Sequence, residues 1–212
     1  MGYTLVIGTK TWSSWSLRPW LLMRQAEIPF EEIVIPLRQP DTAAQIARHS
    51  PSGKVPVLKR TDGDAIWDSL AIAEYLAEHH PDKALWPSEP RARAEARAIS
   101  AEMHAGFAAL RSELPMDCLA RLSVQPTEAA LRDIARIRSI WSGARAAYEA
   151  RGPFLFGAFS IADAMYAPVV SRFVTYGVAL APAEQRYAET IWALPAIVRW
   201  LKECAASAGA HA

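Results

Sequence analysis

The chain has 212 residues, 51% of them hydrophobic, enough for one good core or two small ones and too apolar for a disordered protein. Its 23 Lys and Arg against 22 Asp and Glu leave a net charge of +1, a balance that argues against wrapping a nucleic acid. No uninterrupted apolar run approaches the roughly 20 residues of a membrane-spanning helix, and the start, MGYTLVIGTK, lacks the basic and long apolar regions of a signal peptide. The two cysteines, Cys118 and Cys204, lie outside any CxxC pattern and read as free thiols, so the expectation is a soluble cytoplasmic protein.

Tyr3–Ile7 reads as a buried strand, and a polar turn rich in Ser and Trp follows it, TKTWSSWS over residues 9–16. Leu17–Gln25 is helical, with Leu17, Leu21 and Arg24 on one side, and Glu27-Ile28-Pro29 ends it. Phe30–Ile35 is a second strand, Asp41–His49 a short helix, and Ser50-Pro51-Ser52-Gly53 a cluster of turn residues. Val55–Leu58 and Ala65–Trp67 are strands around the turn Thr61-Asp62-Gly63-Asp64, and Ser69–His80 is a helix with Leu70, Ala73 and Leu76 on its core face. The order β-α-β-α-β-β-α is that of a mixed sheet with helices around it.

Three prolines, Pro81, Pro87 and Pro90, punctuate a linker at 81–90, and strand signals then vanish. Residues 91–112 read as one long Ala-rich helix and Thr127–Arg151 as another, ended by Gly152-Pro153. Ile161–Tyr176 is markedly apolar and is expected at the centre of a helical bundle. Glu184–Trp192 and Pro195–Ala206 follow, and the tail at 205–212 looks frayed. Ser160-Ile161-Ala162-Asp163 has the spacing of a capping box, with Ser160 as cap and Asp163 three residues on.

A mixed βαβαββα unit, a linker and an all-helical unit in this order resemble the soluble glutathione transferases, and three segments carry the resemblance in register. Gly53-Lys54-Val55-Pro56-Val57-Leu58 looks like that family's x-V-P-x-L segment, Asp68-Ser69-Leu70-Ala71-Ile72 like its E/D-S-x-A-I segment, and Ser160–Asp163 like the capping box of its central helix. The resemblance implies a thioredoxin-like glutathione-binding domain over 1–80, a linker over 81–90, and a helical domain over 91–212 that contributes an electrophile pocket. It also implies a cis proline at Pro56, a Val55 backbone that pairs with the peptide, Lys54 within reach of the glycyl carboxylate, and Asp68 and Ser69 toward the γ-glutamyl end. Ser69 is expected to cap the helix it opens.

In this family the first β-α turn carries the Tyr, Ser or Cys that faces the glutathione sulfur. Tyr3 lies in the first strand, where a tyrosine can serve. The turn Ser13-Ser14-Trp15-Ser16-Leu17-Arg18 instead resembles the serine classes, above all the zeta-like S-S-C-x-x-R pattern, with Trp15 where that pattern has cysteine. Lining up Arg18 puts the catalytic serine at Ser13, with Ser14 its competitor and Arg18 tying down the loop. Trp12, Trp15 and His104 are candidates for the wall of the electrophile pocket. No cysteine lies in the first 80 residues, which counts against glutaredoxin-like or omega-like thiol transfer. The histidines form no HxxxH or HExxH pattern, and no metal is expected.

What the resemblance implies is a glutathione transferase, homodimeric, with glutathione as co-substrate and a small hydrophobic electrophile as partner. Isomerisation of the maleylacetoacetate type, peroxidase or dehalogenase chemistry, and a non-catalytic binding or assembly module stand beside it. A serine hydroxyl is too weak an acid and base to take the thiol proton. It can donate a hydrogen bond to the sulfur anion and so lower the thiol pKa from its free value near 8.5. The same serines can equally be plain helix caps.

Overall fold

The computed structural model describes residues 2–209. Strands β1 (Tyr3–Gly8), β2 (Glu31–Ile35), β3 (Val57–Arg60) and β4 (Ala65–Trp67) form one sheet in the order β2-β1-β3-β4. β1 runs parallel to β2 and antiparallel to β3, with Val6 opposite Ile33 on one side and Val57 on the other. The pleat separates two packing faces. Leu5, Ile7 and Leu58 join the main core, while Val6 and Val57 meet Ile35 and Ile46 in a small cluster on the other face.

Helix α1 (Ser14–Gln25) starts three residues before the predicted Leu17, and nine of its residues are buried. It is wedged between the sheet domain's α3 (Ser69–His79) and the helical half, so burial on several sides extends it beyond its own periodicity. α2 (Thr42–Ala47) crosses the opposite face. β3 starts at Val57 rather than Val55, because Pro56 has no N–H for the ladder. The Val55–Pro56 bond is cis.

The helical half contains α4 (Pro90–Ala105), α5 (Ala108–Glu113), α6 (Glu128–Tyr148), α7 (Ile161–Tyr176), α8 (Pro182–Trp192) and α9 (Pro195–Gly209). The single helix predicted over 91–112 is thus two. Gly106 closes α4, where a Cβ would meet the Glu102 carbonyl oxygen at 2.8 Å, and Phe107 follows with φ +62°. The Arg111 guanidinium then collects the carbonyls of Met103, His104 and Gly106, while Asp133 Oδ2 accepts from the Leu110 N–H at 3.0 Å. Those contacts satisfy the backbone groups on either side of the break.

α7 is the buried centre, with fourteen of its residues out of solvent, packed on α1, α4 and α8. The Asp163 carboxylate at its start accepts from Ser160 N at 2.8 Å, Ser160 Oγ at 3.0 Å and Leu155 N at 3.0 Å. The tail expected to fray from 205 is helical through Gly209; the rest of that expectation falls on 210–212, outside the described residues. No helix among the described residues is long and apolar enough to cross a membrane.

Candidate functional site

The site lies at the carboxyl end of β1, where the strand turns into α1. Tyr3 sits at the other end of that strand, buried, with its hydroxyl 3.1 Å from His80 Nε2. It therefore faces away from the turn and is set aside as a sulfur partner.

Two cavities flank the turn. The smaller, about 480 Å³, is lined by Trp15, Lys54, Val55, Pro56, Asp68, Ser69 and His104, with Ser52 and Trp67 beside them. Every residue assigned to glutathione from the sequence borders this one space. The larger, about 930 Å³, lies on the other side, between Trp12, Val34, Leu37, Leu119 and Ala206. The three residues proposed for the electrophile wall are therefore divided: Trp12 lines the larger cavity, whereas Trp15 and His104 line the smaller. Both volumes fall in the usual range for small-molecule sites.

Asp68, rather than Ser69, caps α3. With φ +75° its side chain folds back, and Oδ1 accepts from Leu70 N at 2.8 Å and Ala71 N at 3.4 Å. Oδ2 lies 3.2 Å from His104 Nε2, an ion pair whenever the imidazole is protonated. Ser69 is the first helical residue, and its Oγ accepts from Arg18 Nη1 at 3.4 Å. Its main-chain N–H stands among the free donors of a helix start, where an anion is favoured.

The two serines of the turn differ in what their hydroxyls do. Ser13 precedes α1, is 6% exposed, and donates from Oγ to Ser16 Oγ at 2.7 Å; Ser16 Oγ also accepts from Gly8 N at 3.1 Å. Its proton is therefore spent inside the turn. Ser14, 7% exposed, accepts from Arg172 Nη2 at 3.3 Å and keeps its own proton.

Around Trp15 the site is cationic. The guanidinium carbons of Arg18 and Arg111 lie 4.3 and 4.7 Å from its ring centroid, and His104 meets it edge-on at 5.3 Å. Burial pushes the Arg18 pKa well down, and neighbouring Arg111 and Arg172 push the same way; burial and then Arg111 lower Arg172 to about 10. Arg172 and Ser16 escaped sequence reasoning. A lone arginine inside an otherwise apolar helix was the available signal for the first.

Among the described residues no group of three or more His, Cys, Asp or Glu could hold a metal ion. Cys118 and Cys204 are free and buried in the core.

The family described as "Glutathione S-transferase, N-terminal domain" matches residues 12–79. A probable maleylacetoacetate isomerase of Caenorhabditis elegans is 36% identical over 99 residues, covering 47% of this chain and 45% of that protein. The glutathione S-transferase GstB of Escherichia coli K12 is 36% identical over 78 residues, 36% of this chain and 38% of that one. The matches thus span less than half the length of these curated relatives. A glutathione transferase homolog from Burkholderia gl BGR1, solved with bound glutathione, superposes with a TM-score of 0.71 at 25% identity, over 96% of this chain and 98% of that one. The chain has the glutathione transferase fold and is related to several glutathione transferase subfamilies.

Proposed function

We propose that this chain is a serine-type glutathione transferase, which binds glutathione in the smaller cavity and activates its thiol at the first β-α turn. The observation that carries the reading is the convergence of Lys54, Val55, Asp68 and Ser69 on one cavity bounded by Trp15 of the turn. The Val55 backbone would pair with the cysteinyl part of the peptide, Asp68 with its ammonium, and Ser69 with the carboxylate beside it. The larger cavity across the turn, with an apolar wall of Trp12, Val34, Leu37 and Leu119 beside the charged Lys10, Glu32, Asp117 and Glu203, would hold a small electrophile against the sulfur.

A thiolate is needed, and the turn supplies two reasons for one. A serine hydroxyl donates to the sulfur anion, and the start of α1 offers free N–H groups and a dipole worth about 0.3–1 kcal/mol to a nearby anion. One pKa unit is about 1.4 kcal/mol, so the two together account for roughly one to two units below the free thiol. The hydrogen-bond directions favour Ser14 over Ser13 as the donor, because the Ser13 proton already goes to Ser16.

A second reading is a glutathione-dependent isomerase. The likeness to the Caenorhabditis elegans probable maleylacetoacetate isomerase favours it, while Trp15 stands where the zeta-like motif has cysteine. A homodimer, 1–80 and 91–212 as the two domains, and a cytoplasmic location complete the proposal. The testing experiment is a pH titration of thiolate absorbance with glutathione bound. A pKa at least one unit below 8.5 supports activation; binding with an unshifted thiol overturns it in favour of a carrier; cis-to-trans isomerisation without glutathione consumption favours the isomerase.

A further inference from the structure

Arg172 is 3% exposed and has no carboxylate within ion-pair distance among the described residues. Its Nε donates to the Leu114 carbonyl at 2.9 Å and Nη1 to the Pro168 carbonyl at 3.2 Å, which fixes the plane of the guanidinium. The remaining arm, Nη2, reaches across from α7 to Ser14 Oγ at the start of α1. Arg18, 1% exposed, repeats the pattern with Ser69, and its Nε and Nη2 have no partner. Two buried guanidiniums without an ion-pair partner among the described residues thus each hold one serine of the site. Burying a charge unpaired is costly, and carbonyl acceptors offset only part of that cost. An anion arriving beside the turn would complete the compensation.

We propose that Arg172 is the positioning residue of the first turn: it holds the Ser14 oxygen as an acceptor, which leaves the hydroxyl proton free to donate, and its charge favours an anion at that proton. The proposal rests on the turn being the place where the thiol is activated, and it assigns that step to a residue of the helical half. The other charged and titratable groups around the turn are Arg18 on α1, Arg111 on α5, His104 on α4, Cys118 after α5 and Tyr166 and Tyr176 on α7, with the acids Asp68 acting on Arg18, Asp133 on Arg111 and Asp117 on Cys118 and Tyr176. Asp68 is already engaged by His104 and the first N–H groups of α3. At both buried guanidiniums the neighbouring arginines outweigh the acidic groups.

The test needs no glutathione. Ser14→Cys puts a thiol where Arg172 donates, and Ser13→Cys puts one at the same helix start without that contact. The pH dependence of alkylation by iodoacetamide, with the rate of the parent chain subtracted, gives each thiol pKa. The expected result is a pKa at least one unit lower at position 14 than at position 13, rising by about one unit when Arg172→Met is added and largely kept with Arg172→Lys. Equal pKa values at the two positions overturn the proposal, even if the Arg172→Met chain fails to fold. A position-14 pKa unmoved by Arg172→Met in a folded chain, judged by far-UV circular dichroism, overturns it too. A low pKa at position 14 in a chain that binds no glutathione would sink the transferase reading and leave the role of Arg172 standing.

Discussion

The indole N–H of Trp200 donates to the main-chain carbonyl of Lys10 at 3.1 Å, fastening the last helix to the exit of the first strand. The same lysine sends its ammonium to Glu32 and Glu203, 5.2 Å from the centroid of the Trp20 ring and 5.3 Å from that of Trp200. One buried cation therefore joins β1, β2, α1 and α9. Lys10→Met should cost about 2 kcal/mol in urea unfolding. That is less than the 3–5 typical of a broken fully buried pair, since both carboxylates keep some solvent. A loss below about 0.5 kcal/mol would mean the pair is replaced by water.

The hydroxyl directions in the turn separate the two serines experimentally. Ser14→Ala should lower kcat/KM at least roughly tenfold with little change in glutathione affinity, since it removes the donor to the anion. It also leaves Arg172 Nη2 without its acceptor, so about 1 kcal/mol of stability goes with it. Ser13→Ala should likewise cost about 1 kcal/mol of stability, because Ser16 loses a buried partner, but leave most activity in place. Steady-state kinetics on both variants decide. The reverse pattern would return the site to Ser13.

The segments that border the smaller cavity are the ones the sequence singles out, and the reason is local. Lys54-Val55-Pro56 and Asp68-Ser69 are short contiguous segments at element boundaries, where a few residues dictate the backbone. α7 was equally plain, since an apolar run of that length has to be buried. What could not be read depends on groups distant in the chain. Arg172 meets Ser14 across 158 residues, and the break after Gly106 depends on Asp133 of α6 as well as on Arg111. The cap of α3 fell to Asp68 because of a positive φ that no residue pattern announced.

Asp68 offers a separation of stability from binding. Asp68→Asn keeps an oxygen for Leu70 N and Ala71 N, so unfolding should shift by less than about 0.5 kcal/mol. It removes the charge proposed to meet the γ-glutamyl ammonium, and glutathione affinity should fall roughly tenfold, about 1.4 kcal/mol. Calorimetric titration reads the second number. Unchanged affinity would confine Asp68 to capping.

Trp12 and the cleft it lines make a complementary case. Arg38 lies over its ring, 4.2 Å from the centroid, and the side chain faces the larger cavity rather than the smaller. Trp12→Ala should raise KM for an apolar electrophile roughly tenfold while glutathione affinity stays within about twofold. Equal losses for both substrates would merge the two cavities into one functional space.

Asp163 gives the pH dependence. Burial raises its carboxyl from 3.8 to about 6, against the opposing pull of the Leu155 and Ser160 hydrogen bonds. A raised acid is held protonated by the fold after the unfolded chain has lost its proton. Its contribution is therefore fully present below about pH 4 and is lost as pH rises through about 6. Two units correspond to at most about 3 kcal/mol. Glu102, Glu184 and Glu203 are held below their ordinary values, the first chiefly by the Arg136 contact and the other two by hydrogen bonds that outweigh burial, so they slope the other way. The difference between wild type and Asp163→Asn isolates the one residue. Urea unfolding at pH 4.0 and 6.5 should show the wild-type advantage shrinking at the higher pH; parallel stabilities would mean that the three donors keep Asp163 ionised throughout.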